Sequence, residues 1–92
     1  MNNKIAIESL VMDLKRVALG YHRGSTSMAK RFSEEALKRK NEIDIIHIKP
    51  YINRLLNQLD PLLHEDDFEN IAEKSLMFST ILQNYTQQLL IK

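Results

Sequence analysis

The sequence predicts an all-α fold, an antiparallel bundle of about four helices within a single domain that spans residues 1–92. Apolar residues recur at steps of three and four over long stretches, which is the spacing of one helix face. The chain contains only two glycines and two prolines, so few turns interrupt it. One segment alternates like a β-strand, but no second segment offers it a pairing partner.

The first helix is predicted over residues 4–21. Asn2 or Asn3 offers a side-chain cap for its first turn. Gly24 is the predicted end, because glycine tolerates the left-handed conformation that follows many helices. Its core-facing residues are Ile7, Leu10, Leu14, Val17 and Tyr21, with Val11 and Ala18 beside them.

The second helix is predicted over residues 26–47, with N-cap candidates at Ser25, Thr26 and Ser27. The short connection between the first two helices predicts an antiparallel hairpin. Ile43–Ile48 leave an alternative open, because their β-branched residues alternate with polar ones as in a strand. Helix is preferred there because a lone strand is not stable.

The third helix is predicted over residues 50–60. Pro50 suits the first helical position, where a backbone N–H is not needed, and Asp60-Pro61 is the predicted end. Its apolar face consists of Ile48, Ile52, Leu55 and Leu59, with Leu56 and Leu62 beside it.

The fourth helix is predicted over residues 66–90, with Asp66 and Glu69 as a capping box. At 1.5 Å per residue it is about 38 Å long, whereas the third helix is about 17 Å long. The second half of the fourth helix is therefore expected to contact the first two helices or another chain. The apolar residues at its end favour a homodimer, and a monomer is the alternative. The predicted interface residues are Phe78, Leu82, Tyr85, Leu89 and Leu90.

A basic ridge on the second helix is the first candidate for ligand binding. Lys30 and Arg31 lie about two turns from Lys38 and Arg39, so the four cations could meet the phosphates of a nucleic acid. Glu34 and Glu35 lie between them at helical spacing, and an ion-paired, solvated face is the preferred interpretation.

The turn before the second helix is the second candidate. His22, Arg23, Ser25 and Thr26 precede a helix N-terminus, where free N–H groups favour an anion such as a phosphate or a carboxylate. The spacing does not fit a phosphate-binding Walker loop, and a simple capped turn is the preferred interpretation.

Composition narrows the function classes. The chain has no cysteine, which excludes disulfides and thiolate metal sites. Its net charge is +1, and no run of apolar residues is long enough for a membrane helix. Charged residues in its first stretch argue against a signal peptide, so a cytoplasmic location is expected. No catalytic, metal or cofactor motif is recognised. The sequence thus predicts a non-enzymatic helical interaction or scaffold module that self-associates and binds an unknown protein partner, with nucleic-acid binding as the alternative.

Overall fold

The chain folds into four α-helices and one short 3-10 turn in a computed structural model, which describes residues 2–90 and, at Leu90, the backbone alone. No strand is present among these residues, so the predicted all-α bundle is confirmed for them. The helices are α1 (Asn3–His22), α2 (Thr26–Asn41), α3 (Pro50–Leu63) and α4 (Phe68–Leu90), and the 3-10 turn (Ile45–His47) lies between α2 and α3.

The caps of α1 agree with the sequence prediction. The Asn2 side chain accepts a hydrogen bond from the Ile5 backbone N–H at 2.9 Å. At the other end Gly24 has φ +73°, its N–H donates to the Tyr21 carbonyl, and the Ser25 N–H donates to the Gly20 carbonyl at 2.8 Å. This pair of bonds is the Schellman ending that a left-handed glycine permits.

The predicted extension of α2 to residue 47 is wrong, because α2 ends at Asn41. Ile43 turns into the core, where its side chain is buried. Asn3 binds the backbone of Asp44 in both directions: its Nδ2 donates to the carbonyl at 2.9 Å, and its Oδ1 accepts from the N–H at 2.8 Å. The segment is therefore neither continued helix nor strand, since a residue 41 positions earlier holds it in a turn.

The predicted end of α3 at residue 60 is also wrong. The helix includes Pro61 and continues to Leu63, which buries Leu62 and Leu63 in the core. A proline in the last turn removes the single hydrogen bond to the Asn57 carbonyl. Burial of two leucines outweighs that loss, at about 1.5–3 kcal/mol per fully buried side chain.

Helix α4 begins at Phe68, two residues later than predicted, and Asp67 rather than Asp66 caps it. The Asp67 carboxylate accepts the Asn70 backbone N–H at 3.1 Å, and the Asn70 side chain donates to Glu65 at 2.7 Å. The first bond satisfies one backbone N–H of the first turn, so a single side-chain cap at Asp67 replaces the predicted capping box at Asp66 and Glu69.

Helix α1 is the centre of the bundle, because both α2 and α4 pack closely along it. Tyr21 near its end stacks on Phe68 at the start of α4, with ring centroids 4.6 Å apart, so α1 and α4 run antiparallel. Helix α3 closes the core with the side chains of its apolar face. The largest fully buried residues are Ile7, Leu10, Leu14, Val17, Ile52, Leu56, Leu59, Ile71 and Leu82.

Candidate functional site

The predicted interface on α4 is part of the core of a single chain. Phe78, Leu82 and Tyr85 are 5%, 0% and 3% exposed, and Leu89 packs partly buried against the same core. The side chain of Leu90 lies outside the described residues. Helices of the same chain therefore cover Phe78, Leu82 and Tyr85, and a dimer contact through the three of them would require the core to open.

The cover comes from α1, one of the two helices that the sequence offered for it, and from α3, whose Tyr51 meets Tyr85 edge-on with ring centroids 6.1 Å apart. The buried side of α4 carries small residues, which allow α1 and α4 to pack closely. Two of their hydroxyl groups are satisfied within α4: Ser79 donates to the Leu76 carbonyl at 2.6 Å, and Thr86 donates to the Gln83 carbonyl at 2.7 Å. The Ser75 hydroxyl has no hydrogen-bond partner in the described part of the chain. The buried small residues are Ala72, Ser75, Ser79 and Thr86.

The four side chains of the basic ridge predicted on α2 lie in different surroundings. Lys30 lies 5.9 Å from the centre of the Phe68 ring, on the side facing α4. Arg39 is partly buried, bonds to Glu42 at 3.1 Å and acts on Asp13 of α1, while Lys38 pairs with Glu35 at 3.8 Å. Arg31 lies over the Phe32 ring at 5.8 Å. Of the four cations, only Lys38, seven residues later, lies on the same outer line of α2, the side that faces away from α1. The four cations therefore do not form one continuous surface for phosphates.

The turn predicted as an anion site is a helix junction. His22 and Arg23 are exposed, and Ser25 precedes α2 without a side-chain hydrogen bond to it. The backbone N–H groups of Gly24 and Ser25 are already used by the carbonyls of α1. Among the described residues, the side chains of His22, Arg23, Ser25 and Thr26 form no hydrogen bonds with one another, and an anion site at this turn stays a prediction.

A cleft of about 300 Å³ lies between α2 and the α3–α4 connection. The stacked rings of Tyr21 and Phe68 line it together with Lys30, Glu34 and His64. Burial raises the pKa of the Tyr21 hydroxyl above its usual value. The cleft is open and mixes both charge signs, and no three potential metal ligands are grouped within the described part of the chain. No particular ligand chemistry is indicated.

The most exposed large apolar side chain in residues 2–89 is Ile46, at 83%, beside Ile45 at 56%. They occupy the 3-10 turn, where Asp44 accepts from the Ile46 N–H and its carboxylate lies 2.7 Å from His47 Nδ1. The bond from His47, and then that from Ile46, lower the pKa of Asp44. Two side chains on a turn form a small contact point rather than an extended surface.

An apolar stripe that the sequence interpretation missed runs along the outer face of α1. Ile5, Met12 and Leu19 are 49%, 47% and 41% exposed and recur every seven residues, which places them on one line of the helix. We call these three residues the α1 stripe. The seven-residue spacing is visible in the sequence. The core-facing line on the same helix is longer and was sufficient to predict the helix, so the stripe was not identified.

Helix α4 borders the α1 stripe on one side. Lys15, three residues after Met12, donates from its Nζ to Gln83 Oε1 at 3.1 Å. Leu76, which is 48% exposed, precedes Gln83 by seven residues and so lies on the same line of α4. The stripe on α1 and Leu76 on α4 are thus half-exposed apolar residues on neighbouring helices, and exposed apolar residues that lie together mark protein contact sites.

Asp13 is a buried charge between α1 and α2. It is 7% exposed, its Oδ1 lies 3.8 Å from Arg16, and its Oδ2 has no hydrogen-bond partner in the described part of the chain. Burial raises the pKa of the Asp13 carboxyl above 3.8, although Arg39 and Arg16 act in the opposite direction. The ionised carboxylate is therefore less favourable in the folded chain than in the unfolded one.

We expect Asp13→Asn to gain stability relative to the natural chain as the pH rises. The folded state binds the Asp13 proton more tightly than the unfolded state, so the cost of ionisation is fully present above the folded pKa and disappears below the unfolded value of 3.8. Urea unfolding of both proteins at about pH 3 and pH 7 measures this. An equal difference in unfolding free energy at both pH values would contradict it.

Among residues 2–90, no helix combines the length and the apolar character that a membrane crossing requires. Comparison of the chain with protein-family models, with curated proteins and with solved structures gives no match.

Proposed function

We propose that this chain is a small helical interaction module that associates with a second copy of itself through the outer face of α1. The observation that carries the proposal is the α1 stripe: three half-exposed apolar side chains in one line on the central helix. Scattered single apolar residues are common on protein surfaces, whereas an aligned set bordered by polar residues is typical of a contact site. A cytoplasmic location, expected from the sequence, belongs to the same proposal.

The proposed contact surface differs from that expected from the sequence. Phe78, Leu82 and Tyr85 hold the chain's own core together, so they are not available to a partner. Helix α4 still contributes to the proposed contact through Leu76 at the edge of the stripe. Nucleic-acid binding is not part of the proposal, because Lys30 and Arg39 are directed away from the outer line of α2.

Light scattering over a wide concentration range tests the proposal. We expect the natural chain to approach twice its monomer mass as concentration rises, and Met12→Glu to raise the dissociation constant at least about tenfold, because it places an unpaired charge in the contact. Met77→Glu is the matched control, because Met77 has nearly the same exposure, 48%, on α4. A monomer mass at every concentration, or equal effects of the two substitutions, would contradict the proposal.

A further inference from the structure

We propose that the two copies pair antiparallel along α1, with a two-fold axis passing close to Met12. This inference rests on the proposed function and adds its geometry. In the antiparallel arrangement Ile5 of one chain lies opposite Leu19 of the other, and the two Met12 side chains meet at the axis. The stripe residues of both copies are then covered, as expected for a two-fold contact in which the same surface of each chain faces the other.

The charges beside the stripe favour this direction, although within the chain Glu8 already pairs with Lys4 at 3.3 Å and Lys15 bonds to Gln83 at 3.1 Å. Glu8 and Lys15 are seven residues apart and lie on one line along the α4 side of the stripe. A two-fold axis perpendicular to α1 reverses the partner helix and keeps this line on the same side of the contact. Glu8 of each chain therefore lies opposite Lys15 of the other, because their midpoint falls within half a residue of Met12.

The parallel arrangement lacks this complementarity. A two-fold axis parallel to α1 places each residue level with the same residue of the second copy. One side of the stripe then faces the opposite side of the stripe in the second copy. Lys15 would then lie beside Arg16 of the second copy, and Glu8 beside Ser9. The contact would pair like charges without opposing ones, which favours the antiparallel direction.

Charge reversal tests the pairing of Glu8 with Lys15. Glu8→Lys and Lys15→Glu each place like charges opposite one another at two symmetric positions, and each is expected to raise the dissociation constant about fivefold. The double variant restores both pairs with exchanged signs, so its dissociation constant is expected to return close to the natural value. Additive weakening in the double variant would overturn the pairing.

Single cysteines test the direction itself, because the natural chain contains no cysteine. Met12→Cys is expected to form a disulfide-linked dimer in a glutathione buffer, since residues at the axis approach within disulfide range. Ile5→Cys and Leu19→Cys are each expected to remain unlinked alone, because equivalent positions are about 21 Å apart along the helices. A mixture of these two variants is expected to link. Met77→Cys, at matched exposure, is the control for random oxidation.

The outcomes separate this inference from the function on which it rests. Linking of Ile5→Cys alone, in a chain that dimerises, would show a parallel contact and overturn the antiparallel proposal while self-association stands. Dimerisation with Met12→Cys linking no faster than Met77→Cys would also overturn the geometry. A chain that stays monomeric at all concentrations would overturn the proposed function and the pairing together.

Discussion

Replacing Leu82 with alanine is expected to lower the free energy of unfolding by about 2–5 kcal/mol. Leu82 is fully buried in the single chain, in the core cluster to which α1 and α3 also contribute. Its truncation removes buried methyl groups and leaves a cavity that the surrounding helices fill only in part. Urea unfolding followed by circular dichroism measures the loss, which should be the same at low and high protein concentration.

Met77→Ala is the control for this prediction, because Met77 lies on the same helix and is 48% exposed. Its effect on unfolding is expected to stay within about 0.5 kcal/mol, as for most surface substitutions. If Leu82→Ala instead preserved the stability of the monomer and abolished only a dimer, Leu82 would be an interface residue, as its position on the sequence alone suggested.

Replacing Gly20 with leucine is expected to lower the free energy of unfolding by about 3 kcal/mol. A Cβ at Gly20 would lie 2.9 Å from the Ala29 backbone nitrogen and 3.0 Å from its Cα, so the new side chain meets backbone that cannot rotate away. Leucine is a better helix former than glycine by close to 1 kcal/mol, which acts in the opposite direction. A measured loss is therefore attributable to the contact between α1 and α2.

Gly24 provides the matched comparison. It has φ +73°, and no atom lies within 4 Å of a Cβ added there. Gly24→Ala and Gly24→Leu are expected to cost a similar amount, about 1–2 kcal/mol, because only the backbone conformation is strained. At Gly20 the loss should grow from alanine to leucine. A loss that does not depend on side-chain size at Gly20 would contradict close packing between the helices.

The two predictions follow from the central position of α1. Gly20 allows α2 to approach α1 on one flank, and small residues such as Ser79 allow α4 to approach on the other. With both flanks occupied and α3 closing the core, the outer line of α1 is left exposed. The surface proposed for self-association is thus a consequence of how the core is completed.

Much of the fold could be predicted from the sequence, because its determinants are local. The spacing of Ile7, Leu10 and Leu14 identifies the buried face of α1 without knowledge of its neighbours. Asn2 and Gly24 act within one turn of the helix that they begin or end, so their roles are visible in the nearby residues. Pro50 likewise begins α3 at the position where the missing N–H has no consequence.

The candidate site could not be predicted in the same way, because it depends on which helix covers which face. The sequence of α4 shows that Phe78, Leu82 and Tyr85 need cover, and only the packing decides that α1 and α3 of the same chain provide it. The directions of Lys30 and Arg39 similarly depend on Phe68 and Asp13, which are distant along the chain.

The sequence by itself determined the four helices, the residues that begin and end α1, and most of the apolar faces that form the core, because these depend on interactions within a few residues. Only the tertiary structure decided the end of α2, where Asn3 holds Asp44, and the exposure of the α1 stripe. Helix α1 carries a second, shorter apolar line besides the one that its spacing identifies as buried. Whether a neighbouring helix also covers this shorter line depends on the arrangement of α2, α3 and α4, which periodicity within one helix does not specify.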